Sequence, residues 1–276
     1  MHSLRRRPYR TLGAALAAVA LLVGAAQINS SRASAGAEAP SAAPPPAHAG
    51  FDYQIGGAYE PPDGVRIVTR DHTDRPADGL YNICYVNAFQ AQPGAEDSWD
   101  PDLLLRNEAG EVVYDEDWHE AFLDLRTADK RRRVAAKVGR WIDSCASQGY
   151  DAVEPDNYDS YDRSGKLLTA TQAQQYIRLL SEQAHRRGLA IGQKNTPQLA
   201  GEREANGLDF AVAEECGEYE ECDAYTRAFG DRVVVIEYRS AGLRKACDGW
   251  GDRLSIVRRD LGVTTPGDEA YVRQTC

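Results

Sequence analysis

Short apolar runs and amphipathic stretches take turns along this chain. Phe51–Ala58 and Val65–Val68 are apolar runs parted by Pro61-Pro62-Asp63-Gly64, a turn signal. Tyr81–Phe89 is rich in β-forming residues and reads as a strand, and Gln90–Asp102 reads as a loop. Trp118–Leu125 is a further short apolar piece. Thr127 can cap a helix that carries Val134, Val138, Trp141, Ile142 and Cys145 on one face, and Gly149 ends it. Thr169 with Gln172 three residues on predicts a capping box. The helix it starts buries Ala173, Tyr176, Ile177, Leu180 and Ala184 and finishes at Arg186, Arg187 and Gly188. Leu189–Gln193, Leu208–Ala213 and Arg232–Ile236 read as strands, Tyr219–Ala228 as a short helical patch, and Leu254–Val257 as a possible terminal strand.

The pattern yields eight strands, over about 52–58, 65–69, 81–88, 119–124, 151–154, 189–193, 209–213 and 233–237. Strands alternating with helices predict βαβ units and a parallel sheet. Eight strands in roughly 225 residues fit an α/β fold of the (β/α)8 TIM-barrel type, as a single domain. A doubly wound open sheet is the alternative. Neither common Gly-rich phosphate loop occurs, which weighs against nucleotide binding.

Acids gather where these strands end: Asp71, Asp124, Glu154 with Asp156, Glu214 with Glu215, and Glu237, with Lys194-Asn195 closing another. In a barrel such positions share the C-terminal rim, where active sites form. Side-chain alternation sharpens the set. If Val153 faces one way, Glu154 and Asp156 share the opposite face. Phe210, Val212 and Glu214 share a face, and so do Val233, Val235 and Glu237. The plain alternative is that these acids cap the helices that follow. A carboxylate ring without His or Cys ligands suits two chemistries: glycoside hydrolysis by a carboxyl pair, or hard-metal binding by oxygens. Aromatic residues near the rim, Tyr85, Phe89, Trp99, Trp118, Tyr158, Tyr161, Tyr219 and Tyr238, favour sugar, although each alone is more often packing. Lys194 is placed to keep a neighbouring carboxylate ionised. No Gly-x-Ser-x-Gly elbow supports a serine triad.

Composition adds an address. Arg5, Arg6, Arg7 and Arg10 precede the apolar run Leu12–Ala26 and an Ala33-Ser34-Ala35 cleavage site, so residues 1–35 read as a secretory signal peptide. Residues 36–49, with Pro44-Pro45-Pro46, read as a disordered Ala/Pro-rich linker, and 50–276 as the folded domain. Loss of five arginines and no acid with the signal moves the formal charge from −10 to −15. That disfavours nucleic acid and anionic membranes as partners. All six cysteines lie in the mature part, as expected of disulfides in an exported chain. The absence of Cys-x-x-Cys and the scattered His72, His119 and His185 argue against zinc.

Several motifs recur together in one known family: Tyr81-Asn-Ile-Cys-Tyr85, Glu154-Pro-Asp-Asn-Tyr-Asp-Ser-Tyr161, Ile191-Gly-Gln-Lys-Asn195, Asp209-Phe-Ala-Val-Ala-Glu-Glu-Cys216 with Tyr219 and Cys222, and Ile236-Glu-Tyr238. Over about residues 50–260 the chain resembles the TIM-barrel domain of glycoside hydrolase family 114, the endo-α-1,4-polygalactosaminidases. The resemblance implies a (β/α)8 barrel that hydrolyses α-1,4-linked galactosamine or N-acetylgalactosamine polymers. It places the catalytic pair at Asp156, on the fifth strand, and Glu214, on the seventh. Asp156 is then the nucleophile or charge stabiliser and Glu214 the general acid/base. Retention of configuration is a separate expectation, to be read from the carboxyl separation. Asp71, Asp124, Glu154, Asn157, Asp159, Lys194, Asn195, Glu237 and Tyr238 are expected to bind substrate. Gln193, Ala213 and Thr69-Arg70-Asp71 depart from the usual family residues and put subsite preference in question.

The expected protein is a secreted monomer acting within an amino-sugar polysaccharide, with no metal and no cofactor. A non-catalytic polysaccharide-binding barrel and a metal-dependent hydrolase are the rivals. Sequence alone cannot choose among cysteine pairings. The favoured set is Cys216–Cys222, a short loop beside the site, with Cys84–Cys145 and Cys247–Cys276.

Overall fold

The computed structural model describes residues 42–276. The expected signal peptide and the start of the linker lie outside the described residues. Eleven strands and six α-helices follow in order: β1 (Gly50–Gln54), β2 (Val65–Asp71), β3 (Tyr81–Asn87), β4 (Gln90–Ala91), β5 (Ala121–Phe122), α1 (Ala128–Gln148), β6 (Ala152–Asp156), α2 (Ser160–Arg163), α3 (Ala170–Arg186), β7 (Ala190–Lys194), α4 (Arg203–Asn206), β8 (Phe210–Glu214), α5 (Cys222–Phe229), β9 (Val233–Glu237), α6 (Ser240–Trp250), β10 (Ser255–Arg259) and β11 (Arg273–Thr275).

Eight parallel strands form the barrel, ordered β1-β2-β3-β6-β7-β8-β9-β10, and β11 pairs antiparallel with β10. Among the described residues no ladder joins β1 to β10. Side chains close that seam instead. Ala49 N donates to Ser255 Oγ at 2.9 Å, Arg273 Nη2 donates to Phe51 O at 3.2 Å, and the buried Asp52 faces Arg259 at 3.6 Å. β1 to β2 and β2 to β3 cross over by loops; helices begin with α1.

Two corrections follow. The run at 119–124 is not a barrel strand. Its Ala121–Phe122 pairs antiparallel with Gln90–Ala91 in a small excursion between β3 and α1. β3 already spends its second edge on β6, through Ile83↔Ala152 to Asn87↔Asp156, so a strand cannot enter between them. The eighth barrel strand is Ser255–Arg259. Asp156 therefore ends the fourth barrel strand and Glu214 the sixth. The linker is the second correction. From residue 42 onward it is docked: Tyr81 Oη donates to Ala43 O at 2.6 Å, Pro45 is buried, and Ala42 and Ala49 pack against the barrel interior. An Ala/Pro stretch carries no periodic signal, yet it covers the apolar mouth at the start of the strands.

Local signals placed the helices. Thr127 Oγ1 accepts from Lys130 N at 3.2 Å, and Gly149 ends α1 at φ 94°. Thr169 and Gln172 exchange both bonds of a capping box. Phe51, Tyr53, Ile67, Ile83, Phe210, Val212, Ile236 and Val257 fill the interior, while Val153, Ile191, Ala211 and Val235 face the helices. Gly192 belongs to this interior because an added Cβ would lie 2.9 Å from the Phe210 ring. The disulfides are Cys84–Cys145, Cys216–Cys222 and Cys247–Cys276. No helix among the described residues is long and apolar enough to cross a membrane.

Candidate active site

Inward-facing positions on three consecutive barrel strands end in charge. On β6, Ala152, Glu154 and Asp156 share one face, which turns out to be the interior; β7 brings Lys194 and β8 brings Glu214. The residue after each strand end has positive φ: Asn157 at 65°, Asn195 at 47°, Glu215 at 55°. This left-handed step turns the chain off the barrel and leaves the preceding side chain at the mouth. Asn tolerates it readily; Glu does so at a cost, of the kind that gathers at functional sites.

Lys194 is the hub. Its buried Nζ lies 2.9 Å from Glu154 Oε1, 3.1 Å from Asp156 Oδ1 and 3.4 Å from Glu214 Oε2. Burial opposes its charge, but Asp156, Glu154 and Glu214 outweigh that and push the ammonium well above the usual lysine range. Glu154 sits one layer below the mouth, fully buried, where Tyr53 Oη donates to it at 2.8 Å. Burial raises its carboxyl despite Lys194, and its Oε2 has no hydrogen-bond partner among the described residues.

Asp156 is held as an anion. Burial works against this, but the Lys194 ammonium, the Tyr85 hydroxyl at 2.7 Å and the Asn157 amide prevail and keep its carboxyl below the usual aspartate range. Across the mouth, Tyr238 Oη donates to Glu214 Oε1, and Asn195 Nδ2 donates to Oε2 at 2.9 Å. Asn195 Oδ1 in turn accepts from Glu214 N at 2.9 Å, which fixes the amide. Burial pushes the Tyr53, Tyr85 and Tyr238 hydroxyls well above the usual tyrosine range, so they stay donors.

These groups border a pocket of about 290 Å³. Asp156, Asn157, Asp159, Lys194, Asn195, Glu214 and Tyr238 all line it, as expected. Asp71, Asp124, Glu154 and Glu237 do not; Glu154 is fully buried beneath the floor, on Lys194. Asp71 Oδ1 closes a turn by accepting from Thr73 N at 2.9 Å and Oγ1 at 2.6 Å. Asp124 pairs with Arg126 at 2.7 Å and Lys130 at 2.6 Å, which supports the start of α1. Glu237 shares a face with Val233 and Val235, but that face points to the helices, where Oε1 accepts from Gly217 N at 2.7 Å. Strands buried on both faces are apolar on both, so alternation paired these residues without saying which side was interior.

Part of the site lies outside the expected residues. Tyr53, which donates to Glu154 beneath the pocket, shares the interior face with Phe51 by alternation. Arg163, held by Asp115 at 2.7 Å and Asp159 at 3.0 Å, and Glu120, which accepts from Asn157 Nδ2 at 3.2 Å, come from excursions without a periodic signal. Ile55-Gly56 and Leu261–Val263 form the remaining wall. Gly56 is required there, because an added Cβ would lie 2.4 Å from Val263 O.

The arrangement offers one buried cation, one carboxylate held ionised and a second carboxylate with its own hydroxyl donor, all facing a sugar-sized space. The Lys194 ammonium occupies the place a metal ion would need among these acids.

Ega3 from Aspergillus fumigatus, solved in complex with galactosamine, has a TM-score of 0.67 at 21% identity, over 84% of this chain and 96% of that one. The glycoside hydrolase domain of PelA from Pseudomonas aeruginosa has a TM-score of 0.55 at 16% identity, over 82% of this chain and 98% of that domain. Both share the barrel fold. No curated protein matches this sequence. The profile of glycoside-hydrolase family GH114 matches residues 31–276, a span that takes in the whole barrel and its docked segment. The chain is a TIM-barrel enzyme that belongs to glycoside-hydrolase family GH114.

Proposed function

We propose that this chain is an exported glycosidase that cleaves α-1,4-linked galactosamine polymers internally, with retention of configuration. Asp156 attacks the anomeric carbon and forms a glycosyl ester. Glu214 gives its proton to the leaving oxygen, then takes one from the water that cleaves the ester. The observation that carries this reading is the shared ammonium. Asp156 Oδ1 and Glu214 Oε2 lie 3.1 and 3.4 Å from Lys194 Nζ. Those oxygens are therefore at most roughly 6.5 Å apart, only the lower edge of the span that inverting enzymes use.

The acidic pocket suits a partly deacetylated, cationic chain, and the galactosamine bound by the similar Ega3 supports the substrate class. Three disulfides favour an oxidising compartment. The mechanism uses no metal and no cofactor, and the protein is proposed to act as a monomer.

Purified protein should release new reducing ends from α-1,4-linked galactosamine polymer, with and without chelator. Asp156→Asn and Glu214→Gln should each abolish the release. Activity that disappears with chelator, or that survives Asp156→Asn, contradicts the reading.

A further inference from the structure

A second depression, of about 380 Å³, runs on from the pocket and shares Trp118, Asp159, Asn195, Glu214, Tyr238 and Leu261 with it. Asp156 borders only the first space, whereas Glu214 stands between the two. In a glycosidase the nucleophile touches the sugar that stays, and the acid touches the oxygen that leaves. The second space therefore lies on the leaving side.

Its walls are unusual for this protein. Trp118, Tyr219 and Leu261, at 53%, 62% and 63% exposure, are the exposed large apolar side chains among the described residues, and all three border this groove. Exposed apolar surface gathered in one place marks a binding site. Glu215 and Glu221 line it without an ion-pair partner among the described residues, while their neighbours Glu218 and Glu220 pair with Arg239 and Lys245.

The wall bearing Tyr219 is built to hold still. It lies inside the Cys216–Cys222 disulfide loop. Tyr219 N donates to Glu215 O at 3.0 Å and Glu221 N to Cys216 O at 2.8 Å. Behind it, Glu237 accepts from Gly217 N at 2.7 Å. A fixed aromatic wall loses little entropy when a sugar stacks on it.

Building on the proposed hydrolysis, we infer that this groove binds the leaving, reducing-end side of the amino-sugar chain. Tyr219 and Trp118 supply ring faces, and Glu215 and Glu221 meet the sugar ammonium groups.

The test uses the full chain and an α-1,4-linked galactosamine hexamer labelled at its reducing end. Tyr219→Ala should shift cleavage toward the reducing end, since longer leaving fragments lose their hold. In an Asp156→Asn background, Tyr219→Ala should also weaken hexamer binding by about 10-fold, a stacking-sized loss. Glu221→Gln should weaken binding of the free-amine hexamer and leave the N-acetylated hexamer unaffected. Hexamer binding that falls as expected supports the groove even if the unmodified protein cleaves nothing, so the two readings fail separately. Unchanged hexamer binding, or cleavage that moves toward the non-reducing end, overturns the assignment. Tyr219 is exposed, and an unshifted melting temperature shows that its variant is folded.

Discussion

Lys194 Nζ lies 3.1 Å from Asp156 Oδ1, and the lysine side chain is only 2% exposed. This pair makes Asp156, partly exposed at the mouth, a carboxylate that stays ionised. The same ammonium neutralises Glu154 beneath it at 2.9 Å. A single cation therefore sets the charge of the whole floor.

Lys194→Met removes that cation and leaves acids facing each other. The rate constant for hydrolysis should fall about 100-fold or more, as when a positioned charge is lost. Asp156 loses the attraction that lowers its carboxyl, so the acid limb of kcat/KM should move to higher pH. Pre-steady-state rates over a pH series read both effects. An unmoved acid limb would detach Lys194 from Asp156.

Tyr238→Phe removes the hydroxyl that donates to Glu214 Oε1 while keeping the ring. The expected loss is about 10-fold in kcat, with KM changing much less, since a hydrogen bond to a carboxylate is worth somewhat more than a neutral one. Steady-state kinetics on polymer separate the two constants.

Glu237 predicts a pH-dependent stability of unusual sign. Burial raises its carboxyl from 4.5 to about 7. Below pH 4.5 folded and unfolded chains both carry the proton. Between 4.5 and about 7 the unfolded chain releases it first, so this group's contribution to stability falls across that window and is flat above it. Glu237→Gln should remove the loss, which amounts to about 3 kcal/mol at alkaline pH. Urea unfolding at about pH 4 and pH 8 should show the variant gaining only at the higher value.

The Cys84–Cys145 bridge spans 61 residues and ties β3 to α1. Replacing both cysteines by serine should cost about 4 kcal/mol on loop-closure grounds. Denaturant unfolding of the double variant measures it.

Much of this is legible in the amino-acid sequence, for physical reasons that also mark its limits. Glu154 and Asp156 announced themselves because Val153 and Pro155 occupy the other face. Glu214 did so through Phe210 and Val212, which fill the interior. Glu237 misled because β9 is valine and isoleucine on both sides, so its parity was clear and its direction was not. Asp71 and Asp124 share the strand-end position but serve a turn and a helix start, the ordinary alternative for such acids. Trp118–Leu125 looked like a strand because a short apolar run does not declare its partners. Glu120 and Arg163 reach the pocket through tertiary contacts that leave no local pattern.

The central assignment is the covalent role of Asp156. Glu214→Gln protein mixed with an α-galactosaminide bearing a good leaving group can form the ester but lacks the base that clears it. Mass measurement after an acid quench should find one galactosaminyl group on the peptide that carries Asp156. An unmodified peptide, together with β-anomer as the first product of the unaltered enzyme, would contradict the account.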